Sequence, residues 1–319
     1  MTNFSNCYNK FVFGLEQINA ASAEDPKQFV IDMEKMYQTE ISGVVEYILG
    51  SKTPCKVVML AGPSGSGKTT TAHMLSNTLK KRGKDAIIIS LDDFYFGNGN
   101  APISADGQHD YEAVEALDIK QVKECLMGLM KEGSCLLPKF NFKEKKPFEE
   151  KTHVQLKEDD IAIVEGIHAL NPIFTSSLPK AGLLKVYISV KQGIEDLNGE
   201  VLSRRDVRLI RRMVRDYQYR GSDAEATFSM WESVCRGEFL YIHPFKRTGD
   251  LTINSLHIYE PAVLCHTGIP MLLSIKEESP NFKLSRKLLS GLERFYPIDE
   301  ALVPKQSLIR EFIGGGIYS

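Results

Sequence analysis

No stretch of this sequence stays apolar for the roughly 18 residues that a membrane-spanning helix needs, and Met1–Lys10 lacks the apolar core of a secretory signal. A cytoplasmic protein without a membrane partner is therefore expected. Cysteine is scarce: there are six in 319 residues (Cys7, Cys55, Cys125, Cys135, Cys235 and Cys265), with no C-x-x-C pair and no histidines at metal-ligand spacing. That argues against a disulfide framework or zinc module and for reduced, mostly buried thiols. Neither sign of charge dominates, since 39 Lys and Arg face 41 Asp and Glu, a net charge of −2. A chain so balanced is poorly suited to non-specific binding of nucleic acid or anionic membrane. Internal repeats and low-complexity linkers are also missing.

The remainder is ordinary globular composition, with 43% apolar and 25% charged residues, enough for one large domain or two smaller ones. Residues 25–50 predict an amphipathic helix. Asp25 caps it, Pro26 suits its first position and Gly50 stops it, while Phe29, Met33, Met36, Tyr37, Ile41, Val44, Val45 and Ile48 form its packing stripe. From Lys56 the pattern alternates between strand and helix. Apolar runs at Val57–Ala61, Ala86–Leu91, Ile161–Val164 and Leu184–Val190 predict buried strands, and Leu251–Asn254 predicts a late short strand. Leu136–Phe140 and His153–Leu156 predict two more, and Asp118–Lys131 and most of 203–243 predict helices. Residues after about 260 read as mainly helical, with Gly314–Gly316 expected to fray. This order indicates an α/β protein with a doubly wound, mainly parallel sheet and helical additions at both ends.

The strongest motif is Gly62-Pro63-Ser64-Gly65-Ser66-Gly67-Lys68-Thr69, followed by Thr70. It fits G-x-x-x-x-G-K-[ST] between a predicted strand and a predicted helix, the context that a phosphate-cradling loop requires. Glycines let backbone N–H groups curl around phosphate oxygens, and the helix N-terminus adds partial positive charge. Lys68 supplies a point charge to the β- and γ-phosphates, and Thr69 offers a hydroxyl to Mg²⁺. The second strand runs into Ser90-Leu91-Asp92-Asp93-Phe94-Tyr95, and the third runs into Glu165-Gly166-Ile167-His168. Acids at the C-terminal ends of parallel strands line the ligand crevice. Asp92 there can take a proton from a hydroxyl or help hold a metal, and Glu165 matches a Mg²⁺-facing acid. His168 reads as a packed histidine rather than a catalyst. Residues 204–220 hold seven arginines, with Arg204, Arg208, Arg212 and Arg215 on one helix face and Ile210, Met213, Val214 and Tyr217 on the other. That basic face suits a solvated surface, an RNA contact or a lid that closes over transferring phosphates.

The ordered set GPSGSGKTT, SLDDFY, His109-Asp110-Tyr111 through Asp118, IAIVEGIHAL and RRMVRDYQYRG resembles the uridine kinase/phosphoribulokinase family, and most of all its bacterial uridine kinase-like members. The resemblance is close over about 55–260 and looser beyond. It implies a P-loop kinase fold, with a helical segment at 1–54, a kinase domain with an arginine-rich lid at 55–260, and a C-terminal extension at 261–319. It also implies ATP and Mg²⁺ as cofactors and a nucleoside 5′-hydroxyl as acceptor, and it leaves a homo-oligomer open. Asp92 falls on the family's base, Asp110 on its ribose-binding acid and Glu165 on its magnesium-linked acid. Arg212, Arg215 and Arg220 fall on lid and phosphate arginines. Tyr95, Phe140, Phe142 and Lys145 fall on the substrate side, Phe142 in the base pocket. Phe140 and Lys145 stand where uridine–cytidine kinases carry a tyrosine and a histidine, Ser222 replaces an arginine and Met230 a glutamine. Other acceptor alcohols, such as a sugar phosphate or vitamin precursor, and a regulatory or RNA-associated NTP-binding module, are the competing readings.

Overall fold

The computed structural model describes residues 14–97, 99–103, 107 and 109–318; Cys7 and the Met1–Lys10 stretch lie outside them. Five strands form the central sheet: β1 (Val57–Ala61), β2 (Ala86–Ser90), β3 (Ile161–Glu165), β4 (Leu183–Ser189) and β5 (Leu251–Asn254). They pair in the order β5-β4-β1-β3-β2, every pair parallel. β1 and β3 are buried at each residue, which is why they read as unbroken apolar runs rather than alternating ones. The chain builds outward from β1 in both directions, so a crevice opens at the C-terminal strand ends beside β1.

Helices cover both faces. On one side lie α2 (Pro26–Leu49), α3 (Lys68–Lys81), α5 (Arg204–Arg220), α6 (Ala224–Gly237), α7 (Glu260–Leu273) and α8 (Phe282–Leu292), and α4 (Ile119–Lys131) lies on the other. One apolar cluster runs from Leu15 through the sheet to Ile313. Asp25 caps α2 by accepting from Gln28 N at 2.9 Å, and seven of the eight expected stripe residues are buried, with Met36 half-buried. A hydroxyl pair, Tyr37 Oη and Thr71 Oγ1 at 2.7 Å, ties α2 to α3.

Three features depart from expectation. Helix α1 (Leu15–Glu24) precedes α2 from Gly14, which has no side chain to accept from the first turn; Gln17 Oε1 accepts from Gly14 N at 2.9 Å instead. An antiparallel hairpin, Ile194–Asp196 with Gly199–Leu202, is inserted between β4 and α5. The glycine tail does not fray: Gly314 N bonds Arg310 O, Ile317 N bonds Lys305 O, and Tyr318 stacks on His73 at 5.2 Å between ring centres. Contacts from α3 hold a segment whose composition alone favours disorder.

Candidate active site

β1 ends at Ala61 and the chain turns through Gly62–Gly67 into α3. Gly65 and Gly67 have φ of +71° and +83°, a region that side chains rarely adopt. A Cβ on Gly62 would strike Ile188, and one on Gly67 would strike Leu308. The first N–H groups of α3 have no partner within the helix, so they are available to an anion. Lys68 Nζ rests 3.3 Å from Pro63 O. Thr69 is exposed in the first turn, and the buried Ser66 hydroxyl has no partner among the described residues. Thr70 is engaged: its N–H and its hydroxyl donate to Glu311 Oε2 at 3.2 and 2.7 Å. A carboxylate from the C-terminal turn thus sits on donors of the phosphate loop.

Asp92 stands on a 3-10 turn, Leu91–Phe94, whose N-cap Ser90 accepts from Asp92 N at 3.3 Å. Burial pushes the Asp92 carboxyl up. Lys68, Arg220 and Arg215 pull it back down, and Asp93 raises it. The charges of Lys68, Arg215 and Arg220 are thus all felt at Asp92. Glu165 closes β3 level with Ser90 of β2, whose hydroxyl donates to Glu165 Oε1 at 2.8 Å. Burial, then the charge of Asp92, lifts Glu165 to about 7. His168 is buried and is held neutral by that burial, which lowers it to about 4, in keeping with a packing role.

The sequence reading did not single out Glu112. Glu112 is also lifted to about 7, by burial first, with Arg212 and Lys68 opposing and Asp92 and Asp110 adding to the rise. It therefore lies among the groups that surround Asp92. Asp110 borders the same site, but both its oxygens are engaged: Oδ2 accepts from Tyr241 Oη at 2.9 Å and Oδ1 from Glu112 N at 3.1 Å. The run His109-Asp110-Tyr111-Glu112 offered both carboxylates, and only the backbone turn separates their roles.

Helix α5 begins with a reciprocal Ser203–Asp206 capping box and turns its middle arginines into the protein, while Arg204, Arg205 and Arg220 stay exposed. Arg208, Arg211 and Arg212 are all buried. Arg208 grips Glu238 through two nitrogens at 3.0 and 2.6 Å and donates to Ser64 O at 2.9 Å. Arg211 spans Glu260, Gly65 O and Ser255 O, and stacks over Phe312. Arg212 Nη1 donates to Ser64 Oγ at 2.9 Å. Arg212, Arg215 and Arg220 all gather on Asp216, a fully buried carboxylate with contacts at 3.3, 2.8 and 3.4 Å. Asp216 was missed because an acid inside an arginine-rich helix reads as a simple i,i+4 pair. The solvated-face reading is overturned at Arg208 and Arg212.

Next to Asp93, which accepts from Phe140 N, a cavity of about 330 Å³ is lined by Tyr95, Gly97, Tyr111, Phe140, Phe142 and Lys145. Of the expected substrate-side residues, Tyr95, Phe140, Phe142 and Lys145 border this space, whereas Asp92, Asp110 and Arg212 are not among its walls. Phe140 is fixed by its N–H to Asp93 Oδ1 at 3.1 Å, and its ring lies 5.9 Å from Tyr95 and 5.1 Å from Phe142. Lys145 takes φ +54° in the turn between the antiparallel pair Phe140–Asn141 and Lys146–Pro147, where its carbonyl packs against Gly97.

The Phosphoribulokinase / Uridine kinase family model matches residues 57–260, well over half of the chain. Uridine kinase from Lactobacillus helveticus (strain DPC 4571) is 27% identical over 198 residues, 62% of this chain and 85% of that protein. Uridine kinase from Bacillus pumilus (strain SAFR-032) is 29% identical over 198 residues, with the same two shares. Among solved structures, a "putative fructose transport system kinase" from Silicibacter sp. TM1040 superposes with a TM-score of 0.50 at 18% identity, covering 66% of this chain and 98% of that one, a likeness of fold. Sheet order, phosphate loop and family match agree: the chain belongs to the phosphoribulokinase/uridine kinase family of kinases.

Proposed function

We propose that this chain transfers the γ-phosphoryl group of ATP to the 5′-hydroxyl of a nucleoside. The observation that supports this most is Asp92 under the charges of Lys68, Arg215 and Arg220, with an aromatic cavity opening three residues further on at Tyr95. Asp92 takes the hydroxyl proton, the freed oxygen attacks the γ-phosphorus, and the bond to the β,γ-bridging oxygen breaks to release ADP. Lys68 and the lid arginines offset the charge on the transferring group, and Asp216 holds the three arginines in one place. Tyr95, Phe140 and Phe142 form an apolar slot that suits a flat heteroaromatic base better than a sugar phosphate.

The site fits Mg²⁺. Glu165 is a buried carboxylate that forms no salt bridge among the described residues, lifted by burial and by the charge of Asp92, and Thr69 offers an exposed hydroxyl in the first turn of α3. No group of three or more His, Cys, Asp or Glu suited to a metal occurs among the described residues. Mg²⁺ commonly relies on one or two carboxylates plus substrate phosphates, so the donor set matches it better than a protein-caged metal. Glu165 and Thr69 would hold the ion, which when bound neutralises phosphate charge.

A coupled assay of ADP release over nucleosides and sugars, with product mass measured, tests the proposal. A nucleoside monophosphate as product supports it. Turnover confined to sugars or other alcohols assigns a different acceptor. ATP binding without any phosphorylated product would favour the regulatory module.

A further inference from the structure

A second cavity, of about 520 Å³, lies between the start of α5, the end of β4 and the segment that follows α6. Lys191, Arg204, Arg205, Arg208, Lys246 and Arg247 line it, against only two acids, Glu200 and Glu238. Glu238 is already held by Arg208 through two hydrogen bonds, with His243 3.4 Å from its other side. Among the described residues, Arg204, Arg205, Lys246 and Arg247 form no salt bridge. Cations at the first two positions of a long helix are repelled by its N-terminal partial charge, so nothing in the local structure accounts for Arg204 and Arg205 there. The volume falls within the range of roughly 300–1,000 Å³ typical of small-molecule sites.

We propose that this cavity binds a compact phosphate-bearing anion of at least three charges, at a place separate from the phosphate loop. A triphosphate group matches the excess of four positive charges on the walls, and guanidinium groups suit phosphate oxygens through paired donors. Burial, together with the charges of Lys246 and Arg204, lowers the Lys191 ammonium to about 8, the mark of crowded positive charge that an anion would relieve. A duplex or single strand needs an open groove to track its backbone, whereas these charges converge on a recess. Arg208 forms a wall of the cavity and also holds Ser64 of the phosphate loop, which gives the anion a direct contact with the catalytic side.

Inorganic tripolyphosphate is the probe, titrated calorimetrically into the full chain with its phosphate loop first saturated by Mg·ADP. Because neither nucleoside nor turnover is involved, failure here is distinct from failure of the kinase reading. One further site is expected, weakened at least tenfold in Arg205→Ala/Lys246→Ala and again in the separate variant Arg204→Ala/Arg247→Ala, while ADP affinity is unchanged. Absence of heat in the ADP-saturated parent would overturn the proposal, as would binding that both double variants retain. Loss of single-stranded RNA binding with tripolyphosphate binding intact would also overturn it, in favour of a nucleic-acid surface.

Discussion

Glu311→Gln isolates the contact between the C-terminal turn and the phosphate loop. Glu311 Oε2 takes both donors of Thr70, at 3.2 and 2.7 Å, in the first turn of α3. Nucleotide phosphates use that same first turn, so binding must displace the carboxylate. Hydrogen bonds to a charged group contribute about 1.5–3 kcal/mol in favourable settings. The helix N-terminus adds about 0.3–1 kcal/mol. Glu311 is half-buried, so the preference of the charged carboxylate over a neutral amide is discounted to about 1.4 kcal/mol, a factor of about ten. A closed state favoured tenfold weakens the apparent nucleotide affinity tenfold. The glutamine variant should therefore bind Mg·ADP about tenfold more tightly in a fluorescence or calorimetric titration. Its thermal midpoint without nucleotide should fall, because the same contact stabilises the free protein. Unchanged or weakened ADP affinity would refute the reasoning and make Glu311 a structural cap only.

Asp216→Asn should lower kcat at least tenfold while leaving the dissociation constant for ATP near that of the parent, since it releases arginines expected to act on the transferring group; equal loss in both quantities would mean a general collapse of the lid. Glu112 holds its proton to about pH 7 in the folded protein, against 4.5 as its ordinary value, so the folded state binds more protons than the unfolded one across that window and stability falls as pH rises through it, by at most about 3 kcal/mol. Urea midpoints of Glu112→Gln should accordingly drop less between pH 5 and pH 8 than those of the parent, and identical drops would remove Glu112 from the buried acids. Lys145 only donates, so kcat/KM should favour uridine over cytidine, or inosine over adenosine, by about tenfold, and Lys145→Ala should flatten that ratio; a flat ratio in the parent would mean that Lys145 does not read the base.

The sheet and its crevice were legible because β1 to β4 are each short, mostly apolar runs between turn signals, and the full burial of β1 and β3 leaves little else for such runs to be. The loop Gly62–Thr69 was legible because its glycines are demanded by backbone geometry at Gly65 and Gly67. Glu112, Asp216 and Glu311 were not. Glu112 depends on which way one turn presents two adjacent acids. Asp216 depends on three arginines converging across two helical turns. Glu311 reaches Thr70 from 241 residues away, a separation at which no local pattern carries information. The docked tail Gly314–Tyr318 was misread for the same reason: its order comes from His73, Asn77 and Lys305 rather than from its own composition.

The most direct test of the central claim is Asp92→Asn, assayed for phosphorylation of a nucleoside alongside Mg·ATP binding. Removing a positioned base typically costs about 10²–10⁴-fold in rate. The expected result is a loss of that size in kcat, with nucleotide affinity close to that of the parent and nucleoside monophosphate as the parent's product. Turnover of Asp92→Asn within a few-fold of the parent would contradict the account and move the base role to another acid, with Asp93 the next candidate.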